Sequence, residues 1–281
     1  MNTARPLRVL LAAFAFCLLL AVPGRAAGPQ RPDLGALFAA HKLDGCFVVE
    51  TPQGLRRVNP ARCAKAFRPA STFKIVNALT AFETGVAPDA SLVMKWDGSA
   101  HPGFPEWDRD LTLKEAFRVS CIWYFVELGR RNGRERLAES MRRLGYGTAD
   151  ASGSDQFWID GPLAISADQQ MYALGGLARG EAGFRPSSLA MLREVMLRET
   201  GQGPGGEWRL YGKTGLAPHH SDADPLVGWF VGWVERGGKA YPFALNVTPK
   251  PAATPLSSAQ AAARVDIARE LLRALGVLPK P

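Results

Sequence analysis

The chain has 281 residues, is 47% hydrophobic and 21% charged, and carries 34 Lys and Arg against 26 Asp and Glu, a formal charge of +8. The apolar share excludes a disordered chain, four Cys are too few for a disulfide scaffold, and 29 Gly and 21 Pro without a three-residue period exclude a collagen-like fibre. The length suits one large domain or two intimate lobes, and the positive charge points to anions without saying which.

Arg5 and Arg8 precede an apolar run from Val9 to Val22, and Pro23-Gly24-Arg25-Ala26-Ala27 follows. A charged head, an apolar stretch too short for a stable span and small residues at its end predict a secretory signal, residues 1–26, cut after Ala26. The alternative is an uncleaved anchor. Bulky Phe16 before Cys17 argues against lipid attachment there. On this reading residues 27–281 form a single periplasmic domain, free of the membrane after cleavage. The three Arg of the signal leave with it, so the charge falls from +8 to +5.

Cys46-Phe47-Val48-Val49 reads as a strand, Pro52-Gln53-Gly54 as a turn and Leu55–Val58 as the return. Export permits disulfides, and Cys63 lies just past that return, so a Cys46–Cys63 bridge is geometrically feasible. Cys121 is then the odd, buried thiol. Ser71–Thr84 reads as a helix stopped by Gly85, and a loop-rich stretch from Val86 to Pro105 follows. Helical patterns recur at Thr112–Val119, Ile122–Arg131, Glu135–Leu144, Asp168–Ala178 and Ser187–Glu199. After Gly201 come strands at Trp208–Tyr211, Leu226–Glu235 and Tyr241–Val247. A final helix, Ser257–Leu275, places Ala263, Ile267, Leu271 and Ala274 on one face. This order predicts an α/β (α+β) fold. One lobe, residues 27–80 and 200–281, holds the sheet and its helices. An inserted helical lobe spans residues 81–199.

Many common site types are absent. The chain has no H-E-x-x-H, C-x-x-C, G-x-S-x-G or phosphate-cradling Gly-rich loop, and its four His offer no metal-ligand spacing. A Ser–Lys constellation remains. Ser71-Thr72-Phe73-Lys74 is the chain's one S-x-x-K, and on a helix such a pair shares a face. Free N–H groups at a helix start also favour a developing oxyanion at Ser71. Read alone, the pair is equally a capping Ser with a surface Lys. Ser120-Cys121-Ile122 follows 49 residues after Ser71, at a junction of helical patterns. Lys213-Thr214-Gly215 follows the strand Trp208–Tyr211.

S-x-x-K, S-x-[V/I] and K-T-G in that order resemble the penicillin-recognising serine enzymes. Lys95-Trp96-Asp97-Gly98, Tyr146-Gly147, Phe157-Trp158-Ile159-Asp160-Gly161 and Gly228-Trp229-Phe230-Val231-Gly232-Trp233 narrow the resemblance to the class D β-lactamases. It runs from about Cys46 to Leu275, without the E-x-x-L-N or S-D-N of class A.

The resemblance implies a β-lactamase/transpeptidase-like fold with an antiparallel sheet. It also implies hydrolysis of penicillin-type antibiotics through an acyl-enzyme on Ser71, and hence antibiotic resistance. An ordinary Lys, with a pKa of about 10.4, is protonated at neutral pH and no base. Burial among Phe73, Ile122 and Trp158 would favour its neutral form, which the family carboxylates with carbon dioxide or bicarbonate. No other cofactor and no metal are implied. Carboxylated Lys74, accepting from the Trp158 indole, would be the base for acylation and deacylation. Ser120 would pass a proton to the lactam nitrogen, with Lys213 beside it. The N–H groups of Ser71 and Leu216 would form the oxyanion hole. Ile122, Thr214, Gly215, Leu216 and Arg264 would line the substrate, Arg264 or else Arg269 holding its carboxylate.

Three positions depart from the family. Ile122 replaces Val, and its extra methylene is expected to narrow the path of the deacylating water. Thr148 replaces Asn, and Leu216 stands where an aromatic residue is frequent. Two other readings compete: a penicillin-binding sensor that acylates without turnover, and an inactive exported binding protein. Nucleic acid is not an expected partner, because the chain has no basic run. Nothing in the sequence fixes an oligomeric state.

Overall fold

Phe47 and Val49 face one side of the strand Leu43–Thr51 and Cys46 and Val48 the other, and all four are fully buried. The sheet is therefore covered on both faces. The computed structural model describes residues 33–219, 225–252 and 255–280. The expected signal segment with Cys17, and the loop residues His220, Asp222 and Asp224, lie outside the described residues.

Six antiparallel strands form the main sheet: β1 (Leu43–Thr51), β2 (Gly54–Val58), β3 (Leu197–Gly203), β4 (Gly206–Ala217), β5 (Val227–Arg236) and β6 (Lys239–Pro249). Their order is β2-β1-β6-β5-β4-β3. The longer helices are α1 (Lys74–Thr84), α2 (Leu113–Val119), α3 (Ile122–Asn132), α4 (Arg134–Leu144), α5 (Ala167–Arg179), α6 (Pro186–Met196) and α7 (Ser258–Ala274). On one face of the sheet Ile267, Leu271 and Leu272 of α7 pack on Phe47, Phe230, Phe243 and Leu245. On the other, Met171 and Leu174 of α5 share a core with Val48, Trp229, Val231 and Ala244. That second core continues without a break to Phe73, Phe82, Phe117, Phe125 and Met141 of the helical part. Every residue of α1 from Lys74 to Phe82 is buried, so α1 is an internal helix and not an amphipathic surface one.

The antiparallel sheet and flanking helices match the expected fold class, with several local differences. The helix expected to reach Glu199 ends at Met196, and Leu197–Gly203 pairs with β4 as the edge strand β3. Lys213-Thr214-Gly215 lies inside β4 and does not follow it. Ala70–Phe73 is a 3-10 turn, so Ser71 precedes the first residue of α1 instead of opening it. Gly85 does close α1, at φ 76°, the left-handed cap that glycine adopts freely. Helix α5 covers the sheet although it belongs to the stretch assigned to the helical lobe. Ala274 points to solvent, whereas Ala263, Ile267 and Leu271 are buried as expected.

The Cys46–Cys63 bridge that the sequence left feasible is not formed, and both are buried free thiols. Asn59, at φ 56°, turns the chain into a short helix, Pro60–Ala64, which returns Cys63 beneath β1. The proximity is as expected, but each sulfur is satisfied by hydrogen bonding. The Cys63 thiol donates to the Val58 carbonyl at 3.5 Å. Its hydrogen bond with Cys46, together with burial, pushes the Cys46 thiol far above the usual thiol range.

Candidate active site

The turn that carries Ser71 is held from three sides. Ala70 adopts φ 48°, a left-handed conformation that costs a non-glycine residue free energy and persists only where neighbours enforce it. Thr72 supplies two restraints, its N–H and hydroxyl donating to the Pro69 carbonyl at 3.2 and 2.7 Å. Gln170 of α5 donates to the Thr72 hydroxyl at 2.7 Å and to the Tyr146 hydroxyl at 3.3 Å. Gly215 closes the third side. A Cβ there would stand 3.0 Å from the Pro69 carbonyl oxygen and 3.1 Å from Thr72 Cγ2.

Lys74 is 0% exposed, and its Nζ donates to Ser71 Oγ at 2.8 Å. The amine lies 5.5 Å from the centroid of the Phe125 ring. Phe73 and Trp158 stack beside it at 5.3 Å between centroids, while Ile122 is only half-buried. Burial pushes the Lys74 amine down to about 7, slightly opposed by the Cys121 thiol, because a dry site penalises the charged form. Trp158 is buried too, and its indole N–H has no acceptor among the described residues. An unpaired buried donor is costly, so this N–H marks a place for an acceptor.

A second Ser–Lys pair faces the first. Ser120 ends α2 in the left-handed region, at φ 59° and ψ 34°. It accepts from Lys213 Nζ at 2.9 Å, and the same amine donates to the Thr214 carbonyl at 3.0 Å. Lys213 is 2% exposed. Burial holds its amine well below the usual lysine range, and the cations Lys74, Arg198 and Arg264 act in the same direction.

Pairing with β3 stops at Tyr211, so the rest of β4 is paired only with β5. Along it Thr214 is half-buried and Leu216 is 44% exposed, opposite Gly228. Arg264 of α7 passes over Gly228. Its Nη1 is 3.5 Å from where a Cβ would sit, an ordinary contact distance. Arg264 Nε and Nη1 are buried without partners among the described residues, and burial lowers the group to about 10. Arg269 is instead paired with Glu199 and, at 3.5 Å, with Asp266. Of the two arginines considered for an anion, Arg264 is the unpaired one.

The structure thus brings Ser71 to Lys74, Ser120 to Lys213, and Gly215 to the turn of Ser71. Ile122 opens α3 and lines a cleft of about 750 Å³ with Trp107, Trp123 and Val126. Thr148 has a structural role: its hydroxyl accepts from the Ala164 N–H at 3.2 Å, and its own N–H donates to the Ala164 carbonyl at 2.9 Å. The Thr72–Gln170–Tyr146 brace was not legible from single residue types, although Tyr146 lies in a motif already noted. Arg68 was also missed. It is buried and donates to the carbonyls of Ile159 and of Pro218, tying the Trp158 turn to the end of β4. Trp229 Nε1 in turn donates to the Arg68 carbonyl at 2.9 Å.

Residues 49–273 match the family model described as the penicillin binding protein transpeptidase domain. The chain is 33% identical to β-lactamase OXA-48 of Klebsiella pneumoniae over 253 residues, covering 89% of this chain and 90% of that one. It is 34% identical to β-lactamase OXA-10 of Pseudomonas aeruginosa over 213 residues, covering 75% and 78%. Among solved structures, the class D β-lactamase YbXI from Nostoc superposes with a TM-score of 0.77 at 35% identity, covering 87% of this chain and 99% of that one.

Proposed function

The chain belongs to the class D β-lactamases and is a serine β-lactamase, and we propose that it opens the lactam ring through an acyl-enzyme on Ser71, with carboxylated Lys74 as the base. The observation that carries this reading is the Lys74 amine: fully buried, lowered by that burial to about 7, and 2.8 Å from Ser71 Oγ. The acceptor-less Trp158 indole fits a carbamate on Lys74. Carbon dioxide bound there would supply an anionic oxygen, a base that a protonated amine cannot provide.

The Ser71 hydroxyl attacks the lactam carbonyl and loses its proton toward Lys74. The backbone N–H groups of Ser71 and Leu216 receive the developing oxyanion. Ser120, held by Lys213, gives a proton to the departing ring nitrogen. Thr214, Lys213 and Arg264 bind the ring carboxylate, the partnerless guanidinium of Arg264 offering a two-pronged donor. Water then cleaves the Ser71 ester, with Lys74 again taking the proton. We assign the protein to the periplasm from its N-terminal sequence, with β-lactam resistance as the outcome.

Steady-state hydrolysis of a chromogenic cephalosporin tests the mechanism. Turnover should rise with added bicarbonate. It should fall reversibly below pH 7, where an amine titrating at about 7 becomes protonated and cannot hold carbon dioxide. Rates indifferent to bicarbonate and to acid down to about pH 5 would sink it. A stoichiometric Ser71 adduct without turnover would indicate a sensor, and no adduct a binding protein.

Gly215→Ala tests the brace under Ser71. The new methyl would press on Pro69 and Thr72, with 3.0 Å to the Pro69 oxygen. The expected cost is about 1–3 kcal/mol of stability and a loss of roughly tenfold or more in kcat/KM, read by thermal melting and initial rates. Unchanged kcat/KM would show that the turn has slack.

A further inference from the structure

The open end of the sheet carries cations that the reaction does not use. In the β3–β4 ladder Leu197 pairs with Tyr211 and Glu199 with Leu210, which leaves Arg198 as the extra residue of a β-bulge. A bulge breaks the alternation of a strand and re-aims a side chain. The Arg198 guanidinium lies 5.6 Å from the Phe230 ring centroid, and Phe230 packs under Gly212. It borders a cleft of about 420 Å³ that also takes in Arg118, Lys213, Lys114 and Arg269. Two carboxylates line the same cleft, and both are occupied. Glu194 holds Lys114 at 2.9 Å, and Glu199 holds Arg269. Arg118 and Arg198 make no ion pair with any described residue. Desolvation lowers the Arg198 guanidinium against the attraction of Glu199, and Arg198 in turn lowers Lys213. Ser71, Ser120, Thr214 and Arg264 do not line this cleft, whereas Lys213 lines it and also holds Ser120.

We propose that the cleft is an anion subsite, adjoining the place of the ring carboxylate at Lys213, in which Arg118 and Arg198 bind a small oxyanion. Two guanidinium forks suit phosphate or carboxylate oxygens. An anion there would also relieve the repulsion among Arg198, Lys213 and Arg264. The oxyanion has two sources: a free ion, or an anionic substituent of a β-lactam, the latter resting on the function proposed above.

Titration of the full chain with inorganic phosphate by calorimetry tests the site without needing turnover. One phosphate is expected in this cleft, beside any held by Arg264. Its affinity should fall about tenfold or more in Arg118→Ala/Arg198→Ala, stay unchanged in Arg264→Ala, and be partly kept in Arg198→Lys. Near-UV circular dichroism checks that each variant is folded. Equal binding by the double variant, or loss in Arg264→Ala instead, overturns the proposal. A second arm compares kcat/KM for cephalosporins with an anionic and a neutral ring substituent. A loss in Arg198→Ala confined to the anionic one assigns the site to substrate, while equal kinetics with phosphate binding intact in the wild type assigns it to free ions. Absence of both effects rejects the subsite.

Discussion

A Lys74→Met chain should lose turnover by about four orders of magnitude and still fold at least as stably as the wild type. Lys74 is 0% exposed, and Met fills a similar volume without an amine to desolvate. The amine titrates at about 7 in the fold against 10.5 for the ordinary group. Between these values the unfolded chain binds more protons, so wild-type stability rises as pH climbs from 7 to 10.5. At and below pH 7 the whole penalty applies, up to about 5 kcal/mol, less about 1 kcal/mol for the lost bond to Ser71. In buffer free of carbon dioxide the variant's advantage should be largest at low pH and vanish at about pH 10, just below the ordinary value of 10.5. Denaturant titrations across pH read this. Turnover within tenfold of wild type would remove Lys74 as the base.

Ser71→Ala should lower kcat by about 10⁶ and leave no covalent adduct after incubation with a penicillin, as read by intact-protein mass spectrometry. Lys213, Thr214 and Arg264 are untouched, so ligand affinity should stay within about threefold. The two variants are expected to differ in kind. Lys74→Met retains the nucleophile and should acylate slowly, then hold the ester. An adduct on Ser71→Ala would place the nucleophile elsewhere.

The two Ser–Lys pairs were legible in the sequence because they sit in short, ordered motifs. Ser71, Lys74, Ser120 and Lys213 come together as spacing and resemblance implied. The central strands were legible because Val227–Arg236 and Lys239–Pro249 are nearly continuously apolar and buried on both faces. Strand β3 was not. Its residues, Leu-Arg-Glu-Thr-Gly-Gln-Gly, lack an apolar face, and Arg-Glu prolongs a helical pattern. Pairing with β4 overrides that propensity. The 3-10 turn at Ser71 escaped for a similar reason: tertiary contacts at Pro69, Thr72 and Gly215 impose it. Arg198 is the clearest case, because a bulge is a property of two strands in register, and one strand's sequence does not contain it.

The sealed setting of Cys46 and Cys63 decides when they can be oxidised. Both are 0% exposed, and the thiolate that would begin an exchange is suppressed by their hydrogen bond and by burial. An oxidant meets the pair only while the chain is open. A molecule that closes its sheet reduced should stay reduced for its folded lifetime, and one linked beforehand should stay linked. The protein would then carry a record of its own folding. Counting thiols in denatured samples, from cells that differ only in the oxidising power of the compartment where the chain folds, reads that record.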